Sequence, residues 1–216
     1  MKIVQRLRLR TLAITVLLSG SSLHADDLDT RVANVLKATP LIDGHNDMPW
    51  QYHRRVNNHL SQLDLASDLT QVDNPTHTDL PRLRRGMVGG LFWSVYVPIE
   101  GYGGEPRAVQ AVMDQIDLVK RLINHHDQDL ELALDASSIR RIHAAGRIAS
   151  LIGMEGGHSI NNSLASLRQL YNLGARYMTL THSKGLLWAD SAILKKNSSV
   201  ILLKYFSVFC FHIFIG

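Results

Sequence analysis

The chain has 216 residues and a formal charge of +4. Lys2, Arg6, Arg8 and Arg10, with no acidic residue among the first 25, account for all of that excess, so no basic face is left to read as nucleic-acid binding. A single cysteine, Cys210, excludes an intrachain disulfide framework and leaves stability to a core.

Residues 1–25 place those four basic side chains ahead of an apolar run from Leu12 to Leu18, followed by small residues up to Ala25. That order is a secretory signal peptide, and the run is short of the about 20 residues of a spanning helix. The expected domains are a signal peptide (1–25), a main domain (26–191) and an atypical apolar tail (192–216). The expected localisation is therefore exported: periplasmic, secreted or membrane-associated.

From Pro40 onward short apolar runs alternate with helical patterns, which predicts βαβ units and a parallel sheet. Leu41 to His45 reads as a first, brief strand. Thr78-Asp79-Leu80-Pro81 supplies a cap and a proline near a helix start. Gly90 to Val97 reads as a second strand, stopped by Pro98. Val109, Val112, Met113, Ile116, Val119, Leu122 and Ile123 recur every three or four residues, so Arg107 to Asn124 is an amphipathic helix. Ile148 to Met154 is nearly all apolar, as strands buried on both faces are. A helix is expected over about Ser163 to Leu173, stopped by Gly174. Tyr177 to Thr181 is then a fourth strand, ending on His182. The fold class expected from this alternation is α/β with a parallel sheet, and the chain without residues 1–25 is long enough for one domain but short of the roughly 250 residues of a complete (β/α)8 barrel, about half of which it could hold.

After Asp190 the text changes, and Val200 to Gly216 is dominated by Ile, Leu, Val and Phe with one charge, Lys204. Three readings stand: a short membrane segment, a lipid-anchor signal, or a truncation or frameshift product foreign to the domain. The last is favoured, since an anchor signal wants a polar spacer that Ser199-Val200 does not provide. Membrane association through the tail stays open.

Three of the four strands end on polar groups: His45 with Asp47, Glu155, and His182. In parallel barrels functional residues come from the carboxyl ends of several strands, so these groups should converge. An imidazole nitrogen and a carboxylate oxygen two residues apart are zinc donors on one side of an extended segment, or else simple turn chemistry. Glu155 follows an apolar strand and precedes Gly156-Gly157, where it could bridge two metals or cap the next helix. His182 reads equally as a metal ligand, a donor that polarises a carbonyl, or a core histidine. His158 orients a ligand or, as favoured, serves structure. His53, His59, His77, His125, His126 and His143 read as solvated. No glycine-rich phosphate loop, GxSxG elbow or paired CxxC is present.

Segments carrying those residues, Leu41 to Trp50, Thr78 to Leu83, Gly89 to Pro98, Gly153 to Ile160 and Gly174 to Ser183, together resemble the membrane dipeptidase family, also called renal dipeptidase or peptidase family M19. The resemblance runs from about Thr39 to Ser191. It implies a TIM-like barrel with two Zn(2+) ions that hydrolyses dipeptides through metal-activated water. By motif match, His45 and Asp47 would ligate one zinc, Glu155 would bridge both, and His182 would bind substrate. Lys184 to Leu187 replaces a short Cys-Asn-Thr-Pro-like stretch of the family. Two further histidine ligands and an acid-base aspartate and arginine would come from later strands, so no catalytic residue is assigned and the chain is expected to be inactive as written. Dipeptide substrate is the partner implied, and a homodimer is left open. The alternatives are a non-catalytic exported or membrane-associated relic, or another amidohydrolase-type barrel, which normally opens with HxH.

Overall fold

The structure is a computed structural model that describes residues 27–102, 106–191 and the backbone of residues 212–214. The expected signal peptide lies outside the described residues, and so does the tail apart from that short backbone segment. The chain divides into two units, Met1–Thr39 and Pro40–Gly216. In the first, residues 27–38 form a helix, α1, which no sequence pattern had flagged. Among the described residues, no helix is long and apolar enough to cross a membrane.

The second unit is a mixed α/β domain built on a parallel sheet. Its strands are β1 (Leu41–Asn46), β2 (Val88–Tyr96), β3 (Leu130–Leu132), β4 (Ile148–Glu155), β5 (Ala175–Thr179) and β6 (His212–Phe214), in the order β1-β2-β4-β5-β6, with β3 also on β4. Every pairing is parallel except β5 with β6, which is antiparallel. β2 covers one edge of β4 from Ala149 to Glu155, leaving the other edge to β3 at its start and to β5 near its end. These parallel strands, β1 to β5, with helices between each and the next, are the α/β fold class the sequence predicts.

The helices follow local rules. α2 (Met48–Val56) carries Pro49 in its first turn, where a missing N–H costs nothing, and stops at Asn57 in the left-handed region (φ 46°). α3 (Leu80–Arg85) is capped by Asp79, whose carboxylate accepts from the Arg82 N–H at 2.8 Å. α4 (Arg107–His125) buries Val112, Ile116, Val119, Leu122 and Ile123 of the stripe read from spacing, whereas Val109 is half-buried and Met113 is exposed. α5 (Ala136–Ala144) has a capping box between Asp135 and Ser138. α6 (Leu164–Asn172) ends at Leu173, and Gly174 follows at φ 117°, the conformation expected of a helix-stopping glycine.

The core sits where α2 and α4 meet the sheet: Leu91, Trp93 and Val95 of β2 alternate into it, and β4 is buried from Ile148 to Met154. His126 is buried at the end of α4, where desolvation lowers its pKa, and His53 stacks on Trp50 at 4.7 Å. Both correct the expectation that these two are simply solvated.

Candidate metal centre

β1, β4 and the loop after β5 bring their polar residues together. His45 is on the last turn of β1, and Asp47 follows as the first residue outside it, at φ −85° and ψ 16°. Asp47 is thus in a turn and not in extended backbone. The turn is held by Asn46, whose amide donates to Asp43 Oδ2 at 3.1 Å and Thr78 Oγ1 at 2.9 Å, and whose Oδ1 accepts from the Met48 N–H at 3.2 Å. It still aims both side chains at one point: His45 Nε2 lies 3.2 Å from Asp47 Oδ1 and 3.2 Å from Glu155 Oε2. Ligand atoms of these three residues all lie within 4.8 Å of one another, the one such group among the described residues.

Glu155 ends β4 with its two oxygens facing different neighbours. Oε2 faces His45 and accepts from Ser94 Oγ at 3.1 Å, while Oε1 lies 3.4 Å from His182 Nε2. His182 is three residues past the end of β5, in the loop, and not on the strand end where the pattern put it. Gly156 follows Glu155 at φ 94°, a conformation that leads the chain into the turn beyond. The Gly156 N–H donates to Thr179 Oγ1 at 2.7 Å and the Gly157 N–H to the Leu180 carbonyl at 3.1 Å, stitching that turn to β5.

The electrostatics fit a cation site. Hydrogen bonding to Asp47, then to Glu155, raises the His45 imidazole to about 10 against the opposing effect of burial. The same contact holds the Asp47 carboxyl below its ordinary range. In this charge state a proton sits on Nε2, between two carboxylates, where a metal ion would sit; a divalent cation and that proton compete for one nitrogen. One imidazole nitrogen and two carboxylate oxygens are a normal donor set for zinc.

His158 is 3% exposed, with Nε2–H donating to the Val97 carbonyl at 2.8 Å. Burial lowers its pKa, so it is neutral and ties the loop after β4 to the segment leaving β2. An aromatic row runs to His182: Trp50 meets Tyr96 edge-on at 5.1 Å, and Tyr96 meets His182 at 5.1 Å. A cleft of about 330 Å³ opens beside His45 and Asp47, toward Gln51 and the loop from Pro75 to Thr78.

Sequence reasoning missed Ser94, Asn46, Trp50, Tyr96 and Tyr177 as neighbours of the site. Ser94 had a signal, a lone hydroxyl inside an otherwise apolar strand. Tyr177 had none, since its partner is on β1.

The family model of membrane dipeptidase (peptidase family M19) matches residues 29–205. Dipeptidase verJ of Clonostachys rogersoniana is 40% identical over 174 residues, covering 77% of this chain and 44% of that protein. A solved metallo peptidase from Rhodobacter sphaeroides, liganded with a phosphinate mimic of the dipeptide L-Ala-D-Ala, is 25% identical, with TM-score 0.52 over 67% of this chain and 46% of its own. The solved dipeptidase AC, of family M19, shares the fold at 23% identity and TM-score 0.56, covering 68% of this chain and 44% of its own. The chain spans a little under half the length of these relatives. By the span of the family match and the order of its motifs, the chain belongs to the membrane dipeptidase family, peptidase family M19.

Proposed function

We propose that the chain carries part of a zinc-dependent dipeptidase centre. His45 and Asp47 ligate one zinc, Glu155 reaches that ion and a second, and His182 receives the substrate. The observation that carries this reading is the convergence of His45, Asp47 and Glu155 from two strands and a turn to within 4.8 Å. The divergent oxygens of Glu155 suit a bridging role, one toward His45 and one toward His182. A bound ion supplies Lewis-acid polarisation and an acidified water at neutral pH.

The chain's own residues do the rest. Ser94 donates to Glu155 and holds its carboxylate plane in place. His182, whose Nε2 lies 3.4 Å from Glu155 Oε1, is assigned the hydrogen bond to the oxygen of a scissile carbonyl, which its nearness to Glu155 supports. Through Tyr96, the aromatic row packs against the His182 ring and holds it. The dipeptide mimic on the Rhodobacter sphaeroides protein supports dipeptides as the substrate class. Three ligands are fewer than two four-coordinate ions need, so turnover is read as requiring further donors, and metal binding as the property these residues have by themselves. Export is proposed on the charge and apolar order of residues 1–25.

The test is zinc content after dialysis, with hydrolysis of L-Ala-D-Ala measured beside it, for the full chain, His45→Ala and Glu155→Gln. The wild-type chain should retain zinc and both variants should lose it. Zinc retained by both variants would sink the metal assignment, and substantial turnover by the wild-type chain would sink the need for further donors.

A further inference from the structure

Tyr177 belongs to β5, yet its hydroxyl ends at β1. The side chain is 2% exposed, and its Oη lies 3.1 Å from the Gly44 carbonyl and 3.1 Å from His45 Nδ1. To get there the ring passes over β4 at Gly153, its register partner, and leans on Phe92 of β2 at a centroid distance of 4.9 Å. Gly153 is what makes the passage open: a Cβ there would overlap both the ring and the hydroxyl of Tyr177.

One arrangement satisfies both contacts. A carbonyl only accepts, so with the phenolic proton given to Gly44 the phenolic oxygen accepts from His45 Nδ1–H. A proton on Nδ1 leaves Nε2 as the nitrogen that binds a metal, and Nε2 is the atom facing Asp47 and Glu155. Metal-bound histidines depend on such an outer partner for ring orientation and tautomer.

We propose that Tyr177 is a positioning residue of the metal centre: reaching over Gly153, its hydroxyl fixes the His45 ring so that Nε2 is presented to the ion. This rests on the zinc reading above. It adds a residue that touches neither the ion nor the substrate and acts only through His45.

The test uses the full chain, with zinc as the probe. Zinc affinity is measured by competition with a chromophoric chelator for wild type, Tyr177→Phe and Phe92→Leu, and the visible spectrum of each cobalt-substituted protein is recorded. Tyr177→Phe should weaken zinc about 10-fold or more, the range for loss of an outer partner, and should change the cobalt ligand-field bands. Phe92→Leu disturbs the same packing but keeps the hydroxyl, and should leave both readouts near wild type. Equal affinity and spectra for Tyr177→Phe and wild type overturn the proposal. So does equal weakening by Phe92→Leu, because packing alone would then explain the loss. Should Tyr177→Phe not fold, nitrogen NMR of the zinc-loaded wild-type imidazole decides: metal on Nε2 with a protonated Nδ1 supports the assignment, and metal on Nδ1 overturns it. A wild-type chain that binds no zinc overturns the zinc reading and this one together, whereas wild-type binding with an unaffected Tyr177→Phe overturns only this one.

Discussion

Asp79 shows how much one buried carboxylate can organise. Its Oδ1 accepts from the Arg82 N–H at 2.8 Å, and its Oδ2 accepts from Arg82 Nε at 2.7 Å and from the Leu69 N–H at 3.1 Å, with the carboxylate itself fully buried and the guanidinium partly so. One side chain therefore caps α3, neutralises the guanidinium beside it and pins the preceding loop. Replacing it leaves a cation and two N–H donors short of their acceptor, so Asp79→Ala should lower the unfolding free energy by about 3 kcal/mol, checked by urea denaturation. At His45 the balance runs differently. With Asp47 and Glu155 both within 3.2 Å, its Nε2 is bound by a proton or by a metal. Both roles use the same lone pair.

At the scale of elements, the carboxyl ends of β1 and β4 define the site, and a well-capped α5 leads into β4. Asp135 accepts from the Ser138 N–H at 2.7 Å and from Ser137 Oγ at 2.7 Å, and these bonds lower its carboxyl from 3.8 to about 2. A depressed folded value means the cap stabilises fully above pH 3.8 and fades as pH falls through about 2. The melting temperature of Asp135→Ala should thus sit below that of wild type at neutral pH, with the gap closing toward pH 2. Elements with strong periodicity were legible in the sequence: α4, β4 and the Gly174 stop to α6 all lie where spacing put them. β3 was not, because three residues carry no period, and α2 was hidden by Pro49 and three basic residues in its last turn. That His45, Asp47 and Glu155 converge was legible from strand ends, although Asp47 reaches the point from a turn and not from the extended segment expected of it. His182 was displaced from strand end to loop, since nothing in Leu180-Thr181 says that β5 has already stopped. Tyr177 was illegible for a general reason: its hydrogen bonds reach across two strands, β4 and β2, to β1, and sequence patterns report only neighbours along one.

At the scale of the whole molecule, the metal binding proposed above would be linked to folding. The candidate ligands come from β1, the turn after it and the end of β4, so they converge only when the sheet is formed. An ion that binds the folded chain alone stabilises it by mass action, about 2.7 kcal/mol at 100 times its dissociation constant. Zinc at that excess should raise the melting temperature of the wild-type chain and leave His45→Ala unmoved, as scanning calorimetry would show. The sheet also leaves Leu41 45% and Ile42 38% exposed on β1, whose partner among the described residues is β2.

Gly153 and Tyr177 face each other in register, one empty where the other is full. Any side chain at 153 must evict the tyrosine ring, and a small residue at 177 would leave a hollow above the glycine. In a lineage of such chains neither position can drift alone. The two should be inherited as one unit, replaced together or kept together, with the fate of His45 following theirs.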